Sequence, residues 1–332
     1  MFYKSLLSVA VIAATMSVAN AATVYNSESA KLAVGGRVAA NLNSVFADNG
    51  ASKSCDSGDK DECKVKLAGS ARLHIDAESS ITKDISAIAF AEWQVGATSS
   101  DNGKFNTRYA YVGLKSDSYG QVVFGQREDA FYNALSGTDI FVDYGFSTTD
   151  AGTRNEGLVV YEHAIKQFDF AVSYETESSK VNSGLAGAIG YTISEELPMR
   201  LSLGYETVDG VKKKGQASYD SVGFGVSYGS TSSGLYLAAS FAKTDVDGSS
   251  ADLDSYEAVA AYSFDNGLAV KGGLEYAEID NDTVISDLVG EVKYYLNDNV
   301  YTYAEAQIGL SDIDATKERS HDKLSVGLHY NF

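Results

Sequence analysis

Proline is nearly missing, with one residue in 332, and Trp, Cys and Met number only one, two and three. A chain so poor in Pro yet holding 31 Gly, 22 Tyr and 14 Phe is a bad candidate for disorder. It suits extended strands, because Pro cannot donate to a sheet ladder. Basic charge is also scarce: 26 Lys+Arg stand against 45 Asp+Glu, a formal net charge of -19. That balance excludes a nucleic-acid partner, which needs a basic face to meet phosphates. A long hydrophobic run occurs only at the start of the chain. Nothing later offers 18 consecutive apolar residues, so no membrane-spanning helix is expected.

That first run has an address. Lys4 follows Met1-Phe2-Tyr3, Ser5 to Val18 is almost wholly apolar, and Ala19-Asn20-Ala21 is a small-x-small cleavage pattern. Residues 1–21 are therefore expected to be a cleaved signal peptide, and 22–332 the mature domain. Removing Lys4 takes the mature charge from -19 to -20. Cys55 and Cys63 flank the polar run Asp56-Ser57-Gly58-Asp59-Lys60-Asp61-Glu62. In an oxidising compartment this reads as one local disulfide, with two free thiols as the alternative. Export without a helical anchor leaves a soluble exported protein or an outer-membrane barrel.

Alternation decides between them. Over 64–77, Val65, Leu67, Gly69, Ala71, Leu73, Ile75 and Ala77 share one parity. Lys64, Lys66, Ala68, Ser70, Arg72, His74 and Asp76 share the other. This is the period of a half-buried strand. Sixteen such segments are expected near 32–42, 64–77, 85–96, 105–115, 119–127, 156–164, 168–177, 184–193, 198–206, 215–228, 234–243, 255–264, 267–277, 286–296, 300–310 and 323–332. Short turns alternate with long acidic connections such as 43–63, 128–155, 243–254 and 311–322. A β-sandwich would also alternate, but Arg, Glu, Lys and Asp at mid-strand are intolerable in a dry core and acceptable in a water-filled lumen. The expected fold is an all-β, 16-stranded antiparallel transmembrane barrel with short periplasmic turns and long external loops. Tyr205, Tyr228, Tyr262, Tyr276, Tyr294 and Tyr330 fit interfacial girdles and ordinary strand propensity equally well.

Enzyme and cofactor signatures are weak. Gly223-Phe-Gly225-Val-Ser-Tyr-Gly229 has the wrong spacing for a dinucleotide loop. The four histidines, His74, His163, His321 and His329, show no metal spacing, and Glu162-His163 reads as structural rather than hydrolytic. Asp245-Val-Asp247-Gly248 and Asp280-Asn-Asp282 lack the further ligands of a calcium loop. No catalytic residue, metal or cofactor is expected. The 128–155 connection stands apart, because it holds Tyr132, Leu135, Ile140, Phe141, Tyr144 and Phe146. Such a loop should pack in the lumen, bringing Asp139 and Asp143 into the channel.

Several motifs then resemble the general diffusion porins of Gram-negative outer membranes. Gly36-Arg37-Val38, Ala71-Arg72-Leu73, Thr107-Arg108-Tyr109-Ala110 and Arg154-Asn155-Glu156-Gly157 match the family's lumenal basic positions. Glu92 matches a lumenal glutamate, and Ala134 to Gly145 is similar to the acidic third loop. The ending Gly327-Leu328-His329-Tyr330-Asn331-Phe332 resembles the family's aromatic terminus. Val142-Asp143-Tyr144-Gly145 replaces the usual Pro-Glu-Phe-Gly, and the Cys55–Cys63 pair is outside the family pattern.

The resemblance implies a passive outer-membrane pore for ions and small hydrophilic solutes, built as a homotrimer in contact with lipid and lipopolysaccharide. It also implies that Phe332 is presented to the barrel-assembly machinery. The expected constriction sets Arg37, Arg72, Arg108 and Arg154 against Glu92, Asp139 and Asp143, with weak cation preference. The competing reading is a barrel that acts mainly as an adhesin or receptor through its acidic loops.

Overall fold

The computed structural model describes residues 21–46, 66–96, 104–179, 181–211, 217–248, 252–310, 312–313, 318–319 and 322–332. Residues 1–20 of the expected signal peptide, and both Cys55 and Cys63, lie outside them. The strands are β1 (Ala22–Asn26), β2 (Ala30–Phe46), β3 (Lys66–Ser80), β4 (Ile85–Gly96), β5 (Phe105–Ser116) and β6 (Gly120–Arg127). They continue as β7 (Asn155–Ile165), β8 (Phe168–Glu175), β9 (Val181–Thr192), β10 (Met199–Gly210), β11 (Tyr219–Ser230) and β12 (Ser233–Val246). Then come β13 (Asp252–Ser263), β14 (Leu268–Ile279), β15 (Asp282–Tyr295), β16 (Val300–Gly309), β17 (Asp312–Ile313), β18 (Glu318–Arg319) and β19 (Asp322–Asn331).

From β2 to β16 each strand pairs antiparallel with the next. β16 then pairs with β19, and β19 pairs back onto β2. The result is a closed 16-strand barrel with no free edge, as backbone groups in lipid require. The alternation expected from the sequence sets its two faces. Leu67, on the outward parity of β3, is 72% exposed, while Glu305 on the inward parity of β16 is 1% exposed. Apolar side chains face out and charged ones face in, the reverse of a soluble domain.

Two features depart from the sequence expectation. β1 is an additional short strand that pairs with the start of β2, from Ala22↔Val34 to Asn26↔Lys31. β19 covers the rest of β2, from Asn331↔Arg37 to Asp322↔Phe46. β1 and β19 thus lie in line along one neighbour, and Gly36 and Phe332 exchange backbone hydrogen bonds of 2.9 and 3.0 Å. Only Gly fits there: a Cβ on Gly36 would sit 2.2 Å from the Arg72 carbonyl oxygen and 2.9 Å from Phe332 Cζ. The second departure is at β14–β15, where the acidic connection is a two-residue turn of Asp280 and Asn281, with φ of 52° and 69°. Asn and Asp tolerate that left-handed conformation, which a tight hairpin demands.

Candidate pore constriction

Between β6 and β7 the chain enters the barrel through a one-turn helix α1 (Tyr132–Leu135) and a 3-10 turn (Ser136–Thr138). Phe131, Ala134 and Leu135 are each 1% exposed. They sit on a floor of inward-facing glycines. Gly204 and Gly223 are register partners on β10 and β11, and Gly225 faces Ser202. A Cβ on Gly204 would lie 2.7 Å from Ala134 Cβ, and one on Gly225 would lie 2.2 Å from the Ala134 carbonyl oxygen. Close packing leaves no space for such an atom. The Gly223–Gly229 run that carries no nucleotide motif is therefore a landing surface for the loop. Further along, Ile140 and Phe141 pack on Tyr236, Ala238, Val259 and Ala261.

Carboxylates on the same wall then hold the loop backbone. Glu257 accepts from Thr138 Oγ1 at 2.6 Å and from Thr148 Oγ1 at 2.8 Å. Glu275 accepts from Ser147 N and Oγ, both at 3.0 Å. Glu305 accepts from the amides of Val142 (2.8 Å), Asp143 (3.2 Å) and Tyr144. The Lys271 ammonium donates to the Ile140 carbonyl and pairs with Glu291 at 2.9 Å. A buried loop must satisfy its backbone groups, and ionised acceptors give stronger hydrogen bonds than neutral ones. Glu257 and Glu275 are register partners, as are Glu291 and Glu305. Adjacent strands thus present one acidic bracket.

The opposite chemistry lines β2 to β5. Arg37 and Arg72 are register partners on β2 and β3. Arg72 Nε donates to Gln94 Oε1 at 2.7 Å and its Nη1 lies 3.9 Å from Glu92. Arg108 Nε is 2.6 Å from Glu92, so Glu92 is flanked by two guanidinium groups. Arg154, at the loop's return to β7, lies 3.1 Å from Glu128 and over the Tyr109 ring at 4.9 Å. Tyr109 OH donates to the same Glu128 carboxylate at 2.5 Å. Arg37 forms no ion pair among the described residues, and its Nε has no hydrogen-bond partner there.

The two loop acids expected in the lumen are both there. Asp139 accepts from Tyr132 OH at 2.8 Å. Its side chain is open to the lumen, yet protein surrounds it at longer range, and that burial raises its carboxyl above the ordinary range. Arg154, Arg108 and Lys271 act on it in the opposite sense. Asp143 accepts from Tyr303 OH and from Ser325 Oγ, the latter at 2.5 Å, which ties the loop tip to β16 and β19. Glu128, Tyr109 and the acidic bracket of Glu257, Glu275, Glu291 and Glu305 were not singled out in the sequence. The usable signal was their inward parity on neighbouring strands, opposite a loop whose amides need acceptors.

This geometry has relatives. A family model described as "Gram-negative porin" matches residues 8–312. Porin-like protein L of Photobacterium profundum is 29% identical over 99% of both chains, and outer membrane protein U of Vibrio parahaemolyticus is 25% identical over 99% of both. Among solved structures, Salmonella typhi OmpF in complex with daunomycin superposes with a TM-score of 0.76 at 18% identity, covering 94% of this chain and all of that one. The anion-selective porin of Comamonas acidovorans superposes with a TM-score of 0.69 at 16% identity, covering 91% of this chain and all of that one. A barrel whose lumen is narrowed by a loop pinned to one wall, with this family match, places the chain among the Gram-negative porins: it is a passive diffusion channel of the outer membrane, not an enzyme.

Proposed function

We propose that Arg37, Arg72, Arg108 and Arg154 line one side of the constriction, with Asp139 and Asp143 on the loop opposite and Glu92 set among the arginines. The observation that carries this reading is the loop itself, pinned by Glu257, Glu275 and Glu305 on β13, β14 and β16, strands that carry none of the four arginines. Separated rows of opposite charge create a transverse field, which orients hydrated dipolar solutes and penalises apolar ones. Size sets the upper limit.

The pore is weakly cation-preferring. Four arginines against Glu92, Asp139 and Asp143 leave the constriction near balance, while the mature chain carries -20, from -19 less the charge of Lys4. Screening over about 8 Å at physiological salt keeps that bias modest. The Comamonas porin shares this fold and is anion-selective, so the sign must follow from side chains. Reversal potentials in a KCl gradient test it: cation preference is expected, and an anion-selective wild type overturns the assignment.

The mature chain begins after Ala21 and assembles as a homotrimer, a form described for OmpT of Vibrio cholerae, which shares the fold. Its apolar outer face meets lipid and lipopolysaccharide, and Phe332 at the closing strand engages the barrel-assembly machinery. Cys55 and Cys63 pair across their loop.

A further inference from the structure

Lys323 is a lumenal cation outside both the arginine row and the acidic bracket. It is the second residue of β19, next to the long 311–322 connection. It shares the inward parity of Ser325 and His329, while Val326, Leu328 and Tyr330 point outward to lipid. Ser325 is the hydroxyl that holds the loop acid Asp143 at 2.5 Å. Two residues along a strand rise about 7 Å, so Lys323 stands one step above Asp143 on the external side of the loop tip.

The ammonium is held in place but not neutralised. Its Nζ donates to Gln307 Oε1 at 3.0 Å and lies 5.6 Å from the centre of the Tyr144 ring at the loop tip. Lys323 and Gln307 are register partners, so the ladder itself sets this contact. Gln307 keeps its oxygen toward Lys323 because its NH2 group donates to Asp287, whose carboxylate can only accept. No carboxylate lies within ion-pair distance of Nζ among the described residues. The acids of the surrounding elements have other partners: Asp322 accepts from the Gly309 amide at 3.1 Å, Asp143 from Tyr303 and Ser325, and Glu305 from three loop amides. An amide oxygen and a ring face orient a cation without cancelling its charge. Lys271 and Lys293 differ, since they share Glu291.

We propose that Lys323 is a specificity-determining residue of the channel, a fixed cation at the external lip of the loop that opposes the entry of cations, divalent ions most of all. The inference rests on the channel reading above and deepens it by assigning a side chain that keeps cation preference weak. Charges are screened over about 8 Å at physiological salt, comparable to one step along the strand. An ion nearing Asp143 from outside therefore still feels Lys323. Repulsion grows in proportion to the charge on the ion, so an ammonium that merely slows K⁺ discriminates against Mg²⁺. The chain's net charge of -19 draws divalent ions toward it, which gives such a filter something to act on.

The test is planar-bilayer recording, with reversal potentials measured in KCl gradients and then in MgCl₂ gradients. Current in KCl is recorded first, and its absence would refute the channel reading itself. With an open channel, Lys323→Met keeps the apolar stem and removes the charge. It should at least double the K⁺/Cl⁻ permeability ratio and raise the Mg²⁺/Cl⁻ ratio by a larger factor. Lys323→Gln should do the same, so the outcome does not depend on one variant folding. Lys323→Glu should move both ratios further in that direction, and Lys323→Arg, which keeps the charge, should leave them at wild-type values. Wild-type ratios in the Met and Gln variants overturn the assignment while leaving the channel intact. The same ratio change in Lys323→Arg as in Lys323→Met also overturns it, because packing on Tyr144 rather than charge would then be responsible. Equal factors for K⁺ and Mg²⁺ overturn the discrimination against divalent ions.

Discussion

Two walls of one barrel solve opposite problems. On β2 to β5 the inward side chains are cationic and largely answered by one another's neighbours, with Glu92 between Arg72 and Arg108. On β13 to β16 they are mainly carboxylates answered by the amides and hydroxyls of a loop, with Glu291 paired to Lys271 and Lys293 and Glu305 alone receiving three successive amides. The first wall keeps its charges facing the lumen. The second spends its charges on architecture. Counting lumenal carboxylates therefore overstates the negative field that a passing ion meets, because those on the second wall are capped by the loop they hold or, at Glu291, by Lys271 and Lys293.

The largest effect should come from breaking the second wall. Glu305→Leu removes an acceptor shared by Val142, Asp143 and Tyr144. Each buried donor left unsatisfied costs about 1–3 kcal/mol, so the loop tip should leave the wall. Expected results are noisy single-channel current and a changed polymer-exclusion size. The heat-modifiable barrel should persist, because the strand ladders are untouched. A quiet channel of unchanged exclusion size would show that the bracket is not what holds the loop.

Next in size is the first wall. Neutralising Arg72 and Arg108 together to Gln leaves Glu92 without its cations, so cation preference should rise and conductance should change. The paired change Asp139→Asn with Asp143→Asn should lower cation preference. Reversal potentials separate the two directions, and no response to either would remove these residues from the constriction.

Much of this was legible in the chain. Strand alternation appears in the sequence because lipid and lumen impose opposite demands at period two. The four arginines, Glu92, Asp139 and Asp143 could be placed by parity and by resemblance. The bracket could not. A single inward Glu257 or Glu305 reads as ordinary lumenal polarity until register aligns the strands and a loop 119 or 163 residues away in sequence supplies the donors. Asp143 shows the same limit, since its partners Tyr303 and Ser325 lie 160 and 182 residues away. β1 escaped notice because Ser27-Glu28-Ser29 interrupts its alternation with β2, and it is only five residues long.

A smaller effect follows from Asp139. Burial disfavours its charged form, so its folded pKa lies above the unfolded value. The inward placement of the loop therefore gains stability from this group at low pH, and loses it as pH rises through the raised pKa. In conduction the sign reads directly: on acidification Asp139 loses its negative charge before an ordinary exposed Asp does, and cation preference falls early. Asp139→Asn should remove that early step from a pH series of reversal potentials. An unchanged series in the variant would assign the step to another group.

The smallest effect should come from the rim of the second wall, away from both lumenal rows of charge. Asn281 occupies a left-handed position, φ 69°, in the two-residue β14–β15 turn. A β-branched residue is a genuine outlier there, and such strain costs about 1–3 kcal/mol. Asn281→Val should therefore lower the temperature at which the barrel loses its compact electrophoretic migration. Conductance, exclusion size and reversal potential should all stay at wild-type values, because no strand register changes and neither lumenal row is touched. Asn281→Gly, which accepts positive φ freely, should leave even the melting behaviour close to wild type. A selectivity change in Asn281→Val would mean that the turn couples to the loop-bearing wall through β15, where Glu291 sits, and the two walls would no longer be separable from the rim.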